Sequence, residues 1–372
     1  MDEHTPDFCM MPQVGSLPVY QPGRPVEEVA SVYGHDPTAI SKLASNENPL
    51  GPSPEAVEYA REALAKAHWY PDGGCLSLER KLRQTHELGD LGVVFGNGSN
   101  ELLELVAHLF LGPGRRAVMG EVAFPVYEIV TRLVGAEPVK VKMPNYQHDL
   151  EAMLKEVDRD TSVVFLPVVD NPTGSFVTEQ KLLDFARAIP RGVLLVVDEA
   201  YSEFLEFPPD LKPLMREKRN VVCTRTFSKV YGLAGMRIGY AYGVKEVMEG
   251  FHRVREPFNV NRVAQAAAEA SLSDTAHIRK TIENNATGLE RLASWFEERG
   301  LPYHPSWGNF VLFELKDAFD AFEFFQSNGV IVRPIPSIPD HIRVSVGTPD
   351  QLDHFKRVLD EWLTTHCVGI DN

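Results

Sequence analysis

Lys229 and Arg237 stand eight positions apart in the stretch Thr226-Phe-Ser-Lys-Val-Tyr-Gly-Leu-Ala-Gly-Met-Arg-Ile-Gly239. The lysine follows an apolar run, Val221-Val222-Cys223, that reads as a strand. A lysine at a strand end, among small and hydroxyl residues, is placed to be kept neutral by burial and to attack a carbonyl carbon. Arg237 lies across a loop broken by Gly232 and Gly235 and offers a planar fork suited to a phosphate. Alone, the pair has a plainer reading as two cations on a solvated turn. The choice depends on what other strand ends supply.

Three other strand ends carry complementary groups. Gly96-Asn97-Gly98-Ser99-Asn100-Glu101 follows one strand and opens a helix. Its glycines allow close backbone approach, and free N–H groups with the helix dipole attract an anion. The segment lacks the third glycine of a dinucleotide fingerprint and the Gly-Lys-Ser/Thr of a P-loop. Asn171-Pro172-Thr173-Gly174 is ordinary turn chemistry, with an amide that can donate to a phenolate oxygen. The run Val193–Val197 leads into Asp198-Glu199-Ala200-Tyr201, placing an acid at a strand's carboxyl end, where open α/β sheets bind ligands. A helix cap is the plain alternative for Asp198. A carboxylate about 3 Å from a pyridinium nitrogen contributes roughly 5 kcal/mol at an effective dielectric of about 20. That is about four pKa units, enough to hold the ring protonated at neutral pH. Together these groups meet the needs of pyridoxal 5′-phosphate: phosphate donors, a donor to the ring oxygen, a counter-ion for the ring nitrogen and an amine for the aldehyde.

The scaffold that would hold them is also visible. With 372 residues and 44% hydrophobic content, the chain is long enough for two lobes or one large α/β domain with an appendage. Apolar runs at Val93–Phe95, Ala117–Met119, Val139–Val141, Val163–Leu166, Val193–Val197, Val221–Cys223 and Ile238–Tyr242 predict about seven strands in one sheet. Both faces read apolar, as in a parallel sheet covered on two sides. Helices are expected over Val26–Tyr33, Pro54–Ala67, Glu101–Phe110, Glu179–Ala188, and one long helical region Asn261–Arg299. Strands near Phe310–Leu315, Val330–Arg333 and Ile342–Val346, with helices Ala318–Ser327 and Pro349–Thr364, predict a smaller α+β lobe.

The net charge of -15, without a lysine or arginine run, argues against nucleic acid or an anionic membrane as partner. Cys9, Cys75, Cys223 and Cys367 are too far apart for a metal or redox motif and read as reduced thiols. The acidic N-terminus has no signal-like apolar core, and no apolar run spans a bilayer. A cytoplasmic protein is expected.

The chain resembles the fold-type I aminotransferases that use pyridoxal phosphate, and within them the histidinol-phosphate aminotransferase family. The likeness runs through Tyr20-Gln-Pro-Gly-Arg-Pro, Leu43-Ala-Ser-Asn-Glu-Asn-Pro-Leu-Gly and Tyr70-Pro-Asp-Gly. It continues through Gly96-Asn-Gly-Ser-Asn-Glu, Asn171-Pro-Thr-Gly, Asp198-Glu-Ala-Tyr, Thr226-Phe-Ser-Lys, Pro257-Phe-Asn-Val-Asn-Arg-Val-Ala-Gln and Ile342-Arg-Val-Ser-Val-Gly-Thr. The resemblance implies an α/β fold: a large domain with a mostly parallel seven-stranded sheet and a small α+β domain. The implied division is residues 1–45 as an arm and part of the small domain, 46–272 as the large domain, and 273–372 as the small one.

It also implies roles. Lys229 would be the Schiff-base lysine and proton shuttle, and Asp198 the partner of the pyridine nitrogen. Asn171 and Tyr201 would bond the ring oxygen, and Phe124 would stack on the ring. Ser99, Asn100, Thr226, Ser228 and Arg237 would cradle the phosphate. Tyr70 resembles the tyrosine that reaches the neighbouring subunit's cofactor, which implies a homodimer with shared active sites. Arg343 would clamp the substrate's anionic end, with Arg333 and Tyr20 near the distal phosphate.

Two positions depart from the family pattern. Val168-Val169-Asp170 replaces the usual Pro-Asn-Asn, which is expected to add a carboxylate close to an anionic substrate. Asn100 stands where many relatives carry aspartate. The implied reaction moves an amino group between histidinol phosphate (or imidazole acetol phosphate) and glutamate (or 2-oxoglutarate). An aromatic amino-acid aminotransferase and a threonine-phosphate decarboxylase remain as alternatives.

Overall fold

The structure is a computed structural model that describes residues 10–15, 17, 23–217 and 219–366. In chain order the strands are β1 Ser41–Lys42, β2 Gly92–Gly96, β3 Arg116–Gly120, β4 Glu137–Val141, β5 Thr161–Pro167, β6 Leu194–Asp198, β7 Val221–Thr226 and β8 Gly239–Gly243. They continue with β9 Tyr303–His304, β10 Phe310–Glu314, β11 Val330–Ile331, β12 Arg333–Pro334 and β13 His341–Ser345.

The main sheet has seven strands in the order β2-β8-β7-β6-β5-β3-β4. Every residue of β5 and β6 is buried, so these strands read as unbroken apolar runs rather than alternating ones. Pairing from β4 through β7 is parallel, whereas β8 runs antiparallel to both β7 and β2. The sequence left that direction open. The reason lies in the β7–β8 connection, which holds the 3-10 turn Ala234–Met236 but no crossover helix. Instead of a helix it carries Lys229 and Arg237.

Helices cover both faces. Helix Ser99–Phe110 buries Leu102, Leu103, Leu105 and Val106, an apolar face turned to the sheet. Helices Leu76–His86, Val126–Leu133 and Lys245–Val254 were not anticipated. The expected helical region Asn261–Arg299 consists of two helices, Arg262–Ser271 and Thr275–Glu298. Asp274 makes the break by accepting from the His277 amide, which starts the second helix afresh.

The smaller lobe has a four-stranded antiparallel sheet, β12-β13-β10-β9, and a separate parallel pair, β1 with β11. The single strand expected at Val330–Arg333 is therefore divided between two sheets. Leu43, just after β1, packs in a core with Phe296, Phe313, Phe325 and Phe355. The segment near the N-terminus thus joins the C-terminal lobe, and the residues after Leu43 cross to the main sheet. Cys75 and Cys223 are buried and unbridged, while Cys9 and Cys367 lie outside the described residues. Among the described residues no helix is long and apolar enough to cross a membrane.

Candidate functional site

A cavity of about 690 Å³ opens where the carboxyl ends of β5, β6 and β7 meet the start of helix Ser99–Phe110 and the small-lobe segment carrying β12 and β13. Lys229 and Asp198 both line it. Lys229 Nζ donates to the Ser45 carbonyl at 3.2 Å and lies 5.6 Å from the centre of the Tyr201 ring. Burial, reinforced by the charge of Arg343, lowers the Lys229 pKa to about 8. The amine is thereby brought much closer to losing its proton at neutral pH.

Asp198 ends β6 and is 7% exposed. Burial raises its pKa to about 6, although Tyr127 Oη and the Ala200 amide donate to it at 2.9 and 3.1 Å. It is therefore mostly ionised at neutral pH, and a cationic partner would lower its pKa further. The adjacent Glu199 has a different fate. Its carboxylate accepts from Arg225 at 2.7 Å and Tyr242 at 2.8 Å, and it does not line the cavity. Strand alternation sends the two acids to opposite faces.

Asn171 and Tyr201 line the same floor. Tyr201 Oη accepts from Asn46 Nδ2 at 2.9 Å, and burial raises the phenol pKa to about 12. Arg343 donates to Asn171 Oδ1 and to the Ala44 carbonyl. It is 8% exposed, and its guanidinium lies 5.4 Å from the centre of the Phe310 ring. Arg333 also lines the cavity and pairs across β12 and β13 with Arg343.

Asp170 corrects an expectation. It is fully buried and absent from the cavity wall. Its carboxylate accepts from Thr173 Oγ1 at 2.9 Å and the Thr173 amide at 3.2 Å, with His148 Nε2 at 3.3 Å. Because alternate residues face opposite ways, Val169 and Asn171 look into the cavity and Asp170 looks away. The carboxylate organises the turn instead of facing the substrate.

The anion end is built from two chain segments. Ser99 and Asn100 begin the helix, and Thr226, Ser228 and Arg237 come from β7 and its following loop. Thr226 Oγ1 donates to Ser228 Oγ at 2.9 Å and accepts from the Ser228 amide at 3.1 Å. Arg237 donates to the Asn97 carbonyl at 3.2 Å and the Ala234 carbonyl at 3.0 Å. Gly98 has φ +81°, and a Cβ there would lie 2.5 Å from Arg237 Nη2. A Cβ on Gly239 would lie 2.8 Å from the Ser99 amide nitrogen. Side chains at these positions would fill the cradle.

Residues 38–359 match the family model for aminotransferase class I and II. The chain belongs to the class I and II aminotransferases. It is 45% identical to histidinol-phosphate aminotransferase 2 of Pseudomonas aeruginosa, across 96% of this chain and 99% of that one. It is 41% identical to the histidinol-phosphate aminotransferase of Caldicellulosiruptor saccharolyticus, across 94% and 99%. Among solved structures, histidinol-phosphate aminotransferase from Sinorhizobium meliloti in complex with pyridoxal-5'-phosphate is similar, with a TM-score of 0.86 at 28% identity. That match covers 96% of this chain and 98% of that one.

Other predicted residues of this aminotransferase fall differently. Phe124 lines the cavity, edge-on to Tyr127 with ring centres 5.8 Å apart. Tyr70 is outside its own chain's cavity, 79% exposed and stacked on Phe258 at 4.9 Å. Tyr20 lies outside the described residues. Sequence reasoning gave no role to Tyr127 or Asn46, which fix Asp198 and Tyr201. Tyr127 had one signal, its spacing of three from Phe124 at the start of an apolar helix. Asn46 lay within a quoted motif, but no local pattern pairs it with a tyrosine 155 positions away.

Proposed function

We propose that this aminotransferase transfers an amino group between L-histidinol phosphate and 2-oxoglutarate, using pyridoxal 5′-phosphate, in histidine biosynthesis. The observation that carries the substrate is the near full-length identity, 45% and 41%, with proteins named for that substrate. The reading is supported by the cavity lining, which includes Arg333 and Arg343 together with Lys229.

The residues present fit the cofactor. The cradle kept open by Gly98 and Gly239 suits a phosphate, which Ser99, Asn100, Thr226, Ser228 and Arg237 would hold. Asp198 would hold the ring nitrogen, Phe124 would cover the ring face, and Tyr201 and Asn171 would donate to the ring oxygen. Arg343 holds the oxygen end of the Asn171 amide, which leaves its NH2 end to donate. When bound, pyridoxal phosphate supplies an aldehyde that takes up the substrate nitrogen and a ring that absorbs charge from the α-carbon.

The chain's own residues do the rest. Burial lowers the basicity of Lys229 Nζ enough for an unprotonated fraction to exist near neutral pH, so it can remove and return a proton at the substrate carbon. Asp198 would keep the ring nitrogen protonated, and Tyr127 keeps Asp198 in place. Arg343 orients the substrate's anionic end, and Arg333 with Tyr20 takes the distal phosphate. A carboxylate co-substrate would use the same arginines in turn.

The same reading includes a cytoplasmic homodimer in which Tyr70 of each chain completes its neighbour's cavity. High exposure of Tyr70, beside the exposed Trp69 and Phe258, supports an interface there. Mixing Tyr70→Phe with Lys229→Ala protein should restore activity through hybrid dimers; no recovery after demonstrated subunit exchange contradicts shared sites. Cell fractionation checks the location, and recovery with membranes contradicts it.

Substrate choice is tested by single-turnover reactions of the loaded enzyme with histidinol phosphate, phenylalanine and threonine phosphate. Histidinol phosphate should react with a rate-to-affinity ratio at least about tenfold above phenylalanine. A preference for phenylalanine, or carbon dioxide release from threonine phosphate, would overturn the reading.

A further inference from the structure

On the small lobe, away from the catalytic floor, three side chains from three adjacent strands converge. They are His304 at the end of β9, Glu314 at the end of β10 and His341 at the start of β13. One ligand atom from each lies within 4.8 Å of the others. The register explains the meeting. Glu314 is the direct cross-strand partner of His341, and Leu312 that of His304. Glu314 and Leu312 are two residues apart on β10, so the two imidazoles project from the same sheet face. Their rings are stacked with centres 5.8 Å apart, and Tyr146 from the large lobe packs edge-on against both.

The imidazole nitrogens of this cluster are oriented to accept. His341 has a side chain 9% exposed, and its Nδ1 lies 3.0 Å from the Pro339 carbonyl. A carbonyl only accepts, so Nδ1 carries the proton and Nε2 presents a lone pair. That Nε2 is buried without a hydrogen-bond partner, as is Nε2 of His304. The nearest anionic atom to the His341 Nε2 is Glu314 Oε1 at 3.8 Å, beyond hydrogen-bond length. Two inward-facing imidazole nitrogens with no partner, one backed by a carbonyl on its far nitrogen, are the arrangement of metal-ligating histidines. Glu314 is half exposed and free to close on an ion while leaving a side open to water.

We propose that His304, Glu314 and His341 form a binding site for a divalent transition-metal ion of the zinc class. Two imidazoles and one carboxylate suit zinc better than magnesium or calcium, which take oxygen ligands. At ordinary metal–ligand lengths the three atoms would draw together to about 3.5 Å, within reach of small side-chain rotations. The ion ties three strands of the small lobe beneath Tyr146. It also fixes the start of β13, the strand from which Arg343 reaches the cavity two residues later. The site lies outside the cavity wall and takes no part in the amino transfer.

The test uses the pyridoxal-loaded enzyme, stripped with a chelator and titrated calorimetrically with zinc chloride. Wild type should take up one equivalent per chain, and Glu314→Gln and His304→Ala should each weaken uptake at least about tenfold. Glu314 and His304 are both partly exposed, so these variants should keep the wild-type Tm in chelator. Zinc should also raise the Tm of wild type but not of either variant. Absence of a stoichiometric site in wild type overturns the proposal. So does equal binding by wild type and both folded variants, which would mean adventitious surface histidines. A variant that failed to fold would be replaced by Glu314→Ala, judged by the same two readouts.

Discussion

The floor of the cavity comes from the ends of β5, β6 and β7 in the main sheet, whereas one flank comes from β12 and β13 of the other lobe. On the floor, Asp198 and Ser228 are fixed from within the same lobe: Tyr127 holds Asp198, and Thr226 holds Ser228. On the flank, Arg343 is fixed by contacts made across the lobe boundary, to Asn171 and to the Ala44 carbonyl. The loop 44–47 joins the two. It supplies the Ser45 carbonyl to Lys229, the Asn46 amide to Tyr201 and the Ala44 carbonyl to Arg343. Groups proposed for the chemistry thus stand at the ends of main-sheet strands, and those proposed for substrate choice stand where the lobes meet.

Substitutions on the floor should therefore damage turnover, and those on the flank should damage substrate binding. The largest loss is expected for Lys229→Ala, up to about 10⁴-fold in kcat, since it removes the proposed general base. Stopped-flow single turnovers measure it, and a loss below about tenfold would sink the division. Asp198→Asn should lower kcat by about 10²–10³-fold while much of the cofactor stays bound, because a preorganised charge is removed. The same variant should act oppositely on the cofactor-free protein. Asp198 has a folded pKa of about 6 against 3.8 for the free side chain, so its ionised form destabilises the fold. The wild type therefore loses stability as pH rises through that interval, by about 3 kcal/mol at most. The advantage of Asp198→Asn should be full above about pH 6 and vanish towards pH 4 in denaturant titrations. An advantage that grew towards acid would contradict it.

On the flank, Arg343→Ala should lower kcat/KM by about 10–100-fold for histidinol phosphate and glutamate alike, the worth of one or two charge-assisted bonds. Arg333→Ala should cost less, about tenfold for histidinol phosphate, and leave phenylalanine little changed. Equal losses for the two substrates would remove the phosphate-selective role of Arg333. The smallest kinetic effect is expected for Asp170→Asn. It should shift Tm downward through a stability loss of about 1–3 kcal/mol and leave kcat/KM within about twofold. A kinetic loss without a Tm change would return Asp170 to the substrate side.

The same contrast explains what could be read in the sequence. Strand-end groups on the floor were legible as a set: Lys229, Asp198 and Asn171 are each ordinary alone, but each follows an apolar run, and all three line one cavity. The run itself fixes which end of the sheet they occupy. Tyr127 and Asn46 were not legible as partners, because their bonds to Asp198 and Tyr201 span 71 and 155 positions and no local pattern encodes them. The facing of Asp170 was misread for a related reason: composition showed an acid near the site, and only strand alternation decides which side it takes. The reversal of β8 was invisible because apolar runs carry no direction. The split of 330–334 into two strands escaped notice because a single apolar run can be shared by two sheets.

Lys229 is proposed as the amine that would meet the cofactor's aldehyde at the cavity floor. Borohydride reduction of the pyridoxal-loaded enzyme, followed by peptide mapping, tests it most directly. The cavity holds a second amine, Lys140, which is engaged with Glu128, and Lys42 lies nearby on Glu47 at 2.8 Å. Lys229 is buried, with a pKa lowered to about 8, and is thereby prepared to act as a nucleophile. The account predicts one stable pyridoxyl label, confined to the peptide containing Lys229. A label on Lys140 or Lys42, or an enzyme that turns over but cannot be trapped on any lysine, would contradict it.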